Sequence, residues 1–277
     1  MRFKYRLAFN SSKNRKVLDY LENTRSNFKK EEQISVVYIF EDEPDFQKIM
    51  NMFDTDPLVD LSTIYSKEEM NSAEWFSVRS TYRWEYPKPD GDKNNYKYIT
   101  YNLSDVCQEL YCGIKQVDLF QIKKEPDWKN RNFLMLNWIH GELFIKKETG
   151  DFLISEGLKG FKLNDVKIYK KDMVAEDIKQ IYVESSLKQG LIVDDGIKEV
   201  VICKLCGEKK YVGSGKPRHF KREIFENLDV DIIKSHEVFG IGSVNDRRIF
   251  VSKHFYDILI TNKLDRNLDF EPVIFFD

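Results

Sequence analysis

The sequence of 277 residues has little proline or glycine and no long hydrophobic run. Its 7 prolines and 13 glycines are spread along the chain, and no low-complexity segment occurs, so the composition argues against an intrinsically disordered protein. The longest apolar runs have the length of a β-strand, which argues against a membrane-spanning helix. The N-terminal residues contain no hydrophobic signal stretch. We therefore expect a globular protein of the cytoplasm.

Excess charge and catalytic motifs are also lacking. The 44 basic and 46 acidic residues give a net charge of −2, which excludes a highly basic nucleic-acid coat protein. The nucleophile motif G-x-S-x-G and the zinc-peptidase motif H-E-x-x-H are both missing, and the 4 histidines are scattered. No small-molecule substrate is evident from the sequence. We interpret the protein as non-catalytic.

The 4 cysteines form two closely spaced pairs. Cys107 and Cys112 lie in a C-x4-C-G motif, and Cys203 and Cys206 lie in C-x2-C-G. Four thiolates in two such pairs match the ligand set of one structural, tetrahedral zinc ion per chain. The glycine after each pair allows a sharp turn at positive φ. Redox chemistry at Cys203 and Cys206 or unrelated buried cysteines are the alternatives, and His219 could replace one ligand of the first pair.

The N-terminal part of the sequence alternates between strand and helix patterns. Residues 2–9 alternate with the period of a half-buried strand, and an apolar helical face follows at Val17, Leu18 and Leu21. Residues 34–40 are a β-branched strand, and a second helix begins after Pro44. Residues 74–84 have the pattern of a further strand. These patterns predict a β-α-β-α segment within a first domain of residues 1–95.

Two stretches of the remaining sequence resemble each other, namely residues 142–169 and 248–276. Both have a strand–helix–strand pattern, and Ser252 is placed to cap the second helix. Each stretch also follows a cysteine pair. We therefore predict an α+β fold in which residues 96–277 are an internally duplicated module. Its halves, residues 96–170 and 195–277, each supply two ligands to the shared zinc ion.

These motifs bear a resemblance to known bacterial proteins. The two cysteine–glycine motifs resemble those of the double-CxxCG motif proteins, although the first pair has four intervening residues instead of two. The C-terminal sequence resembles the end of a related family of immunity proteins from contact-dependent or polymorphic toxin systems. The matching positions are Phe250, Val251, Ser252, Phe270, Pro272 and Val273. The resemblance covers about residues 100–277 and implies an immunity-like protein that masks a partner protein, such as a toxin domain, in a bacterial cell.

A basic segment at residues 203–222 suggests a different function. It contains seven lysine and arginine residues, one acidic residue and two interspersed aromatic residues. Such a segment resembles a zinc ribbon that contacts phosphates through its cations and stacks bases on its aromatic rings. The candidate contacts are Lys209, Lys210, Tyr211, Arg218 and Arg222. Nucleic-acid binding is therefore the alternative to protein binding.

Overall fold

The structure is a computed structural model that describes residues 1–25, 28–91, 95–104, 106–107, 114–171, 173–242 and 244–276. These residues form a mixed α and β structure. The chain divides into two compact units. The first comprises Met1–Ser72 and Ser214–Pro217, and the second comprises Ala73–Gly213 and Arg218–Asp277. None of the helices in these ranges combines the length and the apolar character that crossing a membrane requires.

The first unit follows the strand and helix order that the sequence predicts. Its elements are β1 (Arg2–Asn10), α1 (Arg15–Thr24), β2 (Lys29–Lys30), β3 (Ile34–Phe40), α2 (Phe46–Met50), β4 (Leu58–Ile64) and α3 (Lys67–Ser72). The four strands form an antiparallel sheet in the order β2-β3-β1-β4. The predicted β-α-β-α order therefore corresponds to β1, α1, β3 and α2.

One face of this sheet carries the core of the first unit. Side chains alternate between the two faces of a strand, so Leu7 and Phe9 of β1 share a face with Val37 and Ile39 of β3. Leu21 of α1 packs against this face and is fully buried. The helix covers the sheet because its apolar residues recur at helical spacing. We refer to the opposite face of the sheet as its outer face.

The second unit contains most of the strands. Its elements are β5 (Trp75–Ser80), β6 (Arg83–Trp84), α4 (Tyr96–Thr100), β7 (Tyr101–Asn102), β8 (Lys115–Gln116), β9 (Gln121–Ile122), β10 (Phe133–Leu136), β11 (Leu143–Lys146), α5 (Lys147–Ser155), β12 (Lys162–Ile168), β13 (Val174–Tyr182), β14 (Ile197–Ile202), β15 (Lys209–Gly213), β16 (His219–Lys221), a 3-10 turn (Arg222–Ile224), β17 (Ile232–Lys234), β18 (Val238–Phe239), β19 (Ile249–Ser252), α6 (Lys253–Thr261), β20 (Leu268–Pro272) and β21 (Ile274–Phe276). The main sheets have the orders β6-β10-β11-β13-β12-β9 and β17-β19-β5-β20, and a three-stranded sheet has the order β14-β15-β18.

The strand predicted over residues 74–84 is two strands in different sheets. β5 ends at Ser80, and β6 begins at Arg83. The backbone N–H of Tyr82 donates to the Ser80 hydroxyl over 3.1 Å, and this local bond turns the chain between them. β5 pairs with β19 and β20. The boundary of the first unit therefore lies between residues 72 and 73, whereas the sequence placed the end of the first domain at residue 95.

The two similar sequence stretches form matching groups of strands. β11-α5-β12 and β19-α6-β20 are both strand–helix–strand motifs, and each helix has nine residues. One further strand lies between the two strands of each motif, namely β13 in the first motif and β5 in the second. Residues at matching positions share the register, since Ile145 pairs with Phe133 of β10 and Val251 pairs with Ile232 of β17. The central strand β13 follows β11-α5-β12 in the sequence, whereas the central strand β5 precedes β19-α6-β20.

The helices α5 and α6 of these two strand–helix–strand motifs have similar local interactions. Lys147 and Asp151 of α5 form an ion pair at 2.8 Å, and Lys253 and Asp257 of α6 form the equivalent pair at 2.5 Å. The predicted cap of α6 is confirmed, because the backbone N–H of Phe255 donates to Ser252 Oγ over 3.1 Å. Each of these exposed pairs contributes only a few tenths of a kcal/mol to helix stability.

The segment after α5 allows a test of a close backbone contact. Gly157 and Gly160 both have positive φ, at 80° and 100°. A Cβ on Gly160 would overlap the carbonyl oxygen of Ile232, whereas a Cβ on Gly157 would meet no atom within 4 Å. We therefore expect Gly160→Ala to lower the free energy of unfolding by about 2–3 kcal/mol and Gly157→Ala by about 1 kcal/mol. Urea denaturation measures both, and equal losses would contradict the contact.

Candidate metal site and the basic segment

The second cysteine pair lies in the turn between β14 and β15. Cys203 directly follows β14, and its backbone N–H donates to the carbonyl of Glu208 over 2.9 Å. The N–H of Gly207 donates back to the carbonyl of Cys203 over 2.9 Å. Gly207 has a φ of 73°, as predicted for the residue after the pair. This tight turn holds Cys203 and Cys206 close together and leaves Cys203 buried but Cys206 exposed.

A cysteine of the first pair meets this turn. Cys107 Sγ lies 3.1 Å from Cys203 Sγ, and the three Sγ atoms of Cys107, Cys203 and Cys206 all lie within 4.8 Å of one another. The 3.1 Å separation is longer than a disulfide bond, about 2.05 Å, and shorter than the about 3.8 Å between two thiolates bound to one zinc ion at about 2.3 Å. The three thiols lie close enough together to hold a metal ion. Cys112 and Gly113 lie outside the described residues.

The cluster also affects the protonation of its most buried thiol. The backbone N–H of Cys206 favours the Cys203 thiolate, but burial and the neighbouring Cys107 thiol outweigh this effect, so the pKa of Cys203 lies above its ordinary value. A metal that binds here must displace the thiol proton, as at any cysteine site. The donor set consists of thiols within the described residues, and such soft ligands suit zinc and other thiophilic metals.

His219, the alternative fourth ligand, takes part in a different interaction. It begins β16, and its Nδ1 lies 2.5 Å from Asp194 Oδ2. The described metal-ligating cluster contains the three cysteines without His219. The carboxylate of Asp194 fixes the orientation of this imidazole, so the interaction is structural.

Two of the candidate contacts in the basic segment are buried. Lys210 is fully buried on β15, and its Nζ donates to the carbonyls of Gly242 and Val244, each over 2.8 Å. Tyr211 is also buried and packs with Phe239. Neither Lys210 nor Tyr211 can therefore contact a nucleic acid, contrary to the sequence-based alternative. β15 has alternating faces, so the adjacent Lys209 is exposed.

The two candidate arginines also interact with protein groups. Burial and, to a smaller extent, the nearby Arg248 lower the pKa of the Arg218 guanidinium to about 10. Arg218 lies 3.5 Å from Glu271. Arg222 forms an ion pair with Glu74 at 2.7 Å and lies over the ring of Phe275. Lys209 is exposed and the Arg222 side chain is 39% exposed, so these two predicted nucleic-acid contacts reach the surface.

Adjacent lysines on β15 allow a matched test of this arrangement. We expect Lys210→Met to lower the free energy of unfolding by about 2 kcal/mol, because two buried carbonyls lose a charged donor. Lys209→Met should change it by less than about 0.5 kcal/mol, since that side chain is in solvent. Chemical denaturation of both variants measures the difference. A loss of the same size at both positions would show that Lys210 is not held as described.

One cavity of the second unit was not found from the sequence. It has a volume of about 660 Å³ and is lined by parts of α4, β7, β8, β17 and β18 and by the connections around residues 138–142, 182–186 and 244–247. Its ion pair, Glu142 and Lys234, joins residues 92 positions apart. No local motif links such residues, so single-sequence analysis had no signal for this site.

Comparison of the chain with models of known protein families found no match, and a search of curated proteins found none either.

Proposed function

We propose that the protein is a non-catalytic binding module of the bacterial cytoplasm, stabilised by one structural zinc ion, that masks a partner protein in an immunity-like role. The observation that carries this proposal is the thiol cluster of Cys107, Cys203 and Cys206. Cys112 follows Cys107 by five positions in the sequence and is the natural fourth ligand. Zinc with four thiolate ligands has no open coordination position, so this site would stabilise the fold and would not catalyse a reaction.

We also infer that residues 96–277 arose by internal duplication. The shared strand order, the matching registers at Ile145 and Val251 and the two equivalent ion pairs support this origin. Each cysteine pair precedes one copy of the repeated stretch, so the zinc ion would join the two halves. The different sequence positions of β5 and β13 would then reflect a rearrangement of the central strand in one copy.

The residues on the outer face of the first unit's sheet support the proposal that the protein binds a protein partner. Tyr38 is 43% exposed there, and the Nζ of Lys4 lies 5.0 Å from the centre of its ring. Arg6 lies beside Tyr38 in the adjacent strand and pairs with Asp60 at 2.7 Å. Leu58 is 76% exposed at the start of β4. Tyrosine and arginine next to exposed apolar residues are typical of protein-binding hot spots.

The test combines metal analysis with a search for the partner. Untagged protein should contain one zinc per chain by elemental analysis. Co-expression should rescue cells from the toxicity of a neighbouring gene product, and the two proteins should co-purify. Tyr38→Ala with Arg6→Ala should weaken the complex at least about tenfold, whereas Arg15→Ala, on the exposed surface of α1 across the sheet, should leave it unchanged. The absence of any partner among neighbouring gene products would count against the masking role, independently of the metal content.

A further inference from the structure

The 660 Å³ cavity of the second unit has a rigid polar floor. Glu142 and Lys234 form an ion pair at 2.5 Å, and each side chain is only 13% exposed. Gln180 is fully buried and donates to Glu142 over 3.0 Å and to Gln116 over 2.8 Å, and Gln116 donates back over 2.9 Å. These bonds hold the floor groups in one arrangement, which is the preorganisation that a binding site requires.

Two tyrosines line the same cavity. Tyr96 begins α4 and Tyr101 begins β7, and their ring centres are 6.4 Å apart. Burial raises the pKa of both, and the Glu142 carboxylate raises that of Tyr101 further, so both remain neutral donors near pH 7. Within the described part of the chain, neither hydroxyl has a hydrogen-bond partner. Both are therefore available to a bound molecule.

The charges around the cavity favour an anion. Its two carboxylates are already neutralised, because Glu142 pairs with Lys234 and Glu184 pairs with Lys162 at 2.7 Å. Burial lowers the pKa of His140 and Arg83 lowers it further, so this imidazole is neutral near pH 7. Besides Lys234, which pairs with Glu142, the cationic residues Lys115 and Arg247 line the cavity. An anionic group would gain electrostatic stabilisation from this excess positive charge.

An aromatic residue at the rim has an unusual backbone. Trp138 lies in the left-handed region with a φ of 68°, which is rare for a bulky residue. Its side chain is 44% exposed, lines the cavity and lies 4.4 Å from the ring of Tyr86. Strained residues are concentrated at ligand sites, and an exposed indole can stack on a planar ring.

We propose that this cavity binds a small organic anion with a planar ring, of the size and chemistry of a nucleoside monophosphate. The cavity volume lies within the range of small-molecule sites, about 300–1,000 Å³. The phosphate would lie toward Lys115 and Arg247, the tyrosine hydroxyls would bond the polar edge of the ligand, and Trp138 would stack on its ring. This site is separate from the masking role, and its test does not depend on a protein partner.

Calorimetry on the full-length, metal-loaded protein tests the site with AMP, GMP, CMP and UMP as probes. At least one should bind with a Kd of about 100 µM or tighter. The nucleoside without the phosphate, and ribose 5-phosphate without the base, should each bind at least about tenfold more weakly. Failure of all four nucleotides to bind at about 1 mM would overturn the proposal. Equal affinity for the nucleoside would also overturn it, because the site would then not select an anion.

Conservative variants locate the binding in this cavity. Tyr101→Phe removes one hydroxyl and should weaken nucleotide binding about fivefold to tenfold, and Tyr96→Phe should act in the same direction. Tyr98→Phe is the matched control, because Tyr98 lies on the same helix but is 70% exposed and does not line the cavity. Circular dichroism establishes that each variant is folded before titration. Unchanged affinity in folded Tyr101→Phe and Tyr96→Phe would place the nucleotide elsewhere and overturn the proposal.

Discussion

Removal of the metal is expected to lower the free energy of unfolding by at least about 3 kcal/mol. A metal bound by Cys107 and Cys203 connects positions that are 96 residues apart. A covalent link across a loop of this length raises the free energy of the unfolded chain by about 4–5 kcal/mol, because it removes conformational entropy. A metal link acts similarly while its ligands stay bound. Residual metal binding by the unfolded cysteines reduces this effect.

Cys206→Ser is the variant that best isolates the metal. Cys206 is exposed, so its replacement disturbs little packing, whereas Cys203 is buried and its replacement would also alter the core. We expect Cys206→Ser to lower stability as much as chelation does and to lose further sensitivity to chelator. Denaturation of both proteins with and without chelator, together with elemental analysis, measures this. A wild-type protein whose stability chelator leaves unchanged, or a Cys206→Ser variant as stable as the untreated wild type, would rule out the metal link.

The sequence predicted best where one local pattern decides the structure. β3 spans Ile34–Phe40, as expected from a run rich in β-branched and aromatic residues. Ser252 caps α6 because a hydroxyl at that position accepts a hydrogen bond from the start of the helix. Gly207 takes positive φ because the tight cysteine turn requires it. In each case the determining atoms lie within a few residues of one another, so their interaction is visible in the sequence.

Long-range packing decided the features that the sequence did not predict. The run of cations around Lys210 looked exposed because its charges are adjacent in sequence, but β15 places Lys209 and Lys210 on opposite faces. The carbonyls that bind Lys210 come from Gly242 and Val244, more than thirty residues away. β5 belongs to the second unit although the sequence placed it in the first domain, because it pairs with β19 and β20 near the C-terminus. Such contacts depend on topology and have no local sequence signal.

Breaking the buried ion pair of Glu142 and Lys234 should strongly destabilise the second unit. Lys234→Met leaves the Glu142 carboxylate without its cation, although both side chains are only 13% exposed, and should cost about 3–5 kcal/mol. Glu142→Gln keeps the shape of the side chain but leaves the Lys234 ammonium without its anion. The double variant should cost at least about 2 kcal/mol less than the sum of the single losses, because neither charge is then unpaired.

Lys159 and Asp229 provide a matched exposed pair. Their ion pair has a length of 2.7 Å, but the side chains are 58% and 89% exposed, so Lys159→Met should cost less than about 1 kcal/mol. Urea denaturation of the four proteins of the Glu142–Lys234 cycle, and of Lys159→Met, separates the effect of burial from that of pairing. Additive losses at Glu142 and Lys234 would mean that the two charges are not coupled in solution. A pair with strong coupling would instead remain fixed as the cavity floor, because moving either charge into the cavity would leave the other one buried and unpaired.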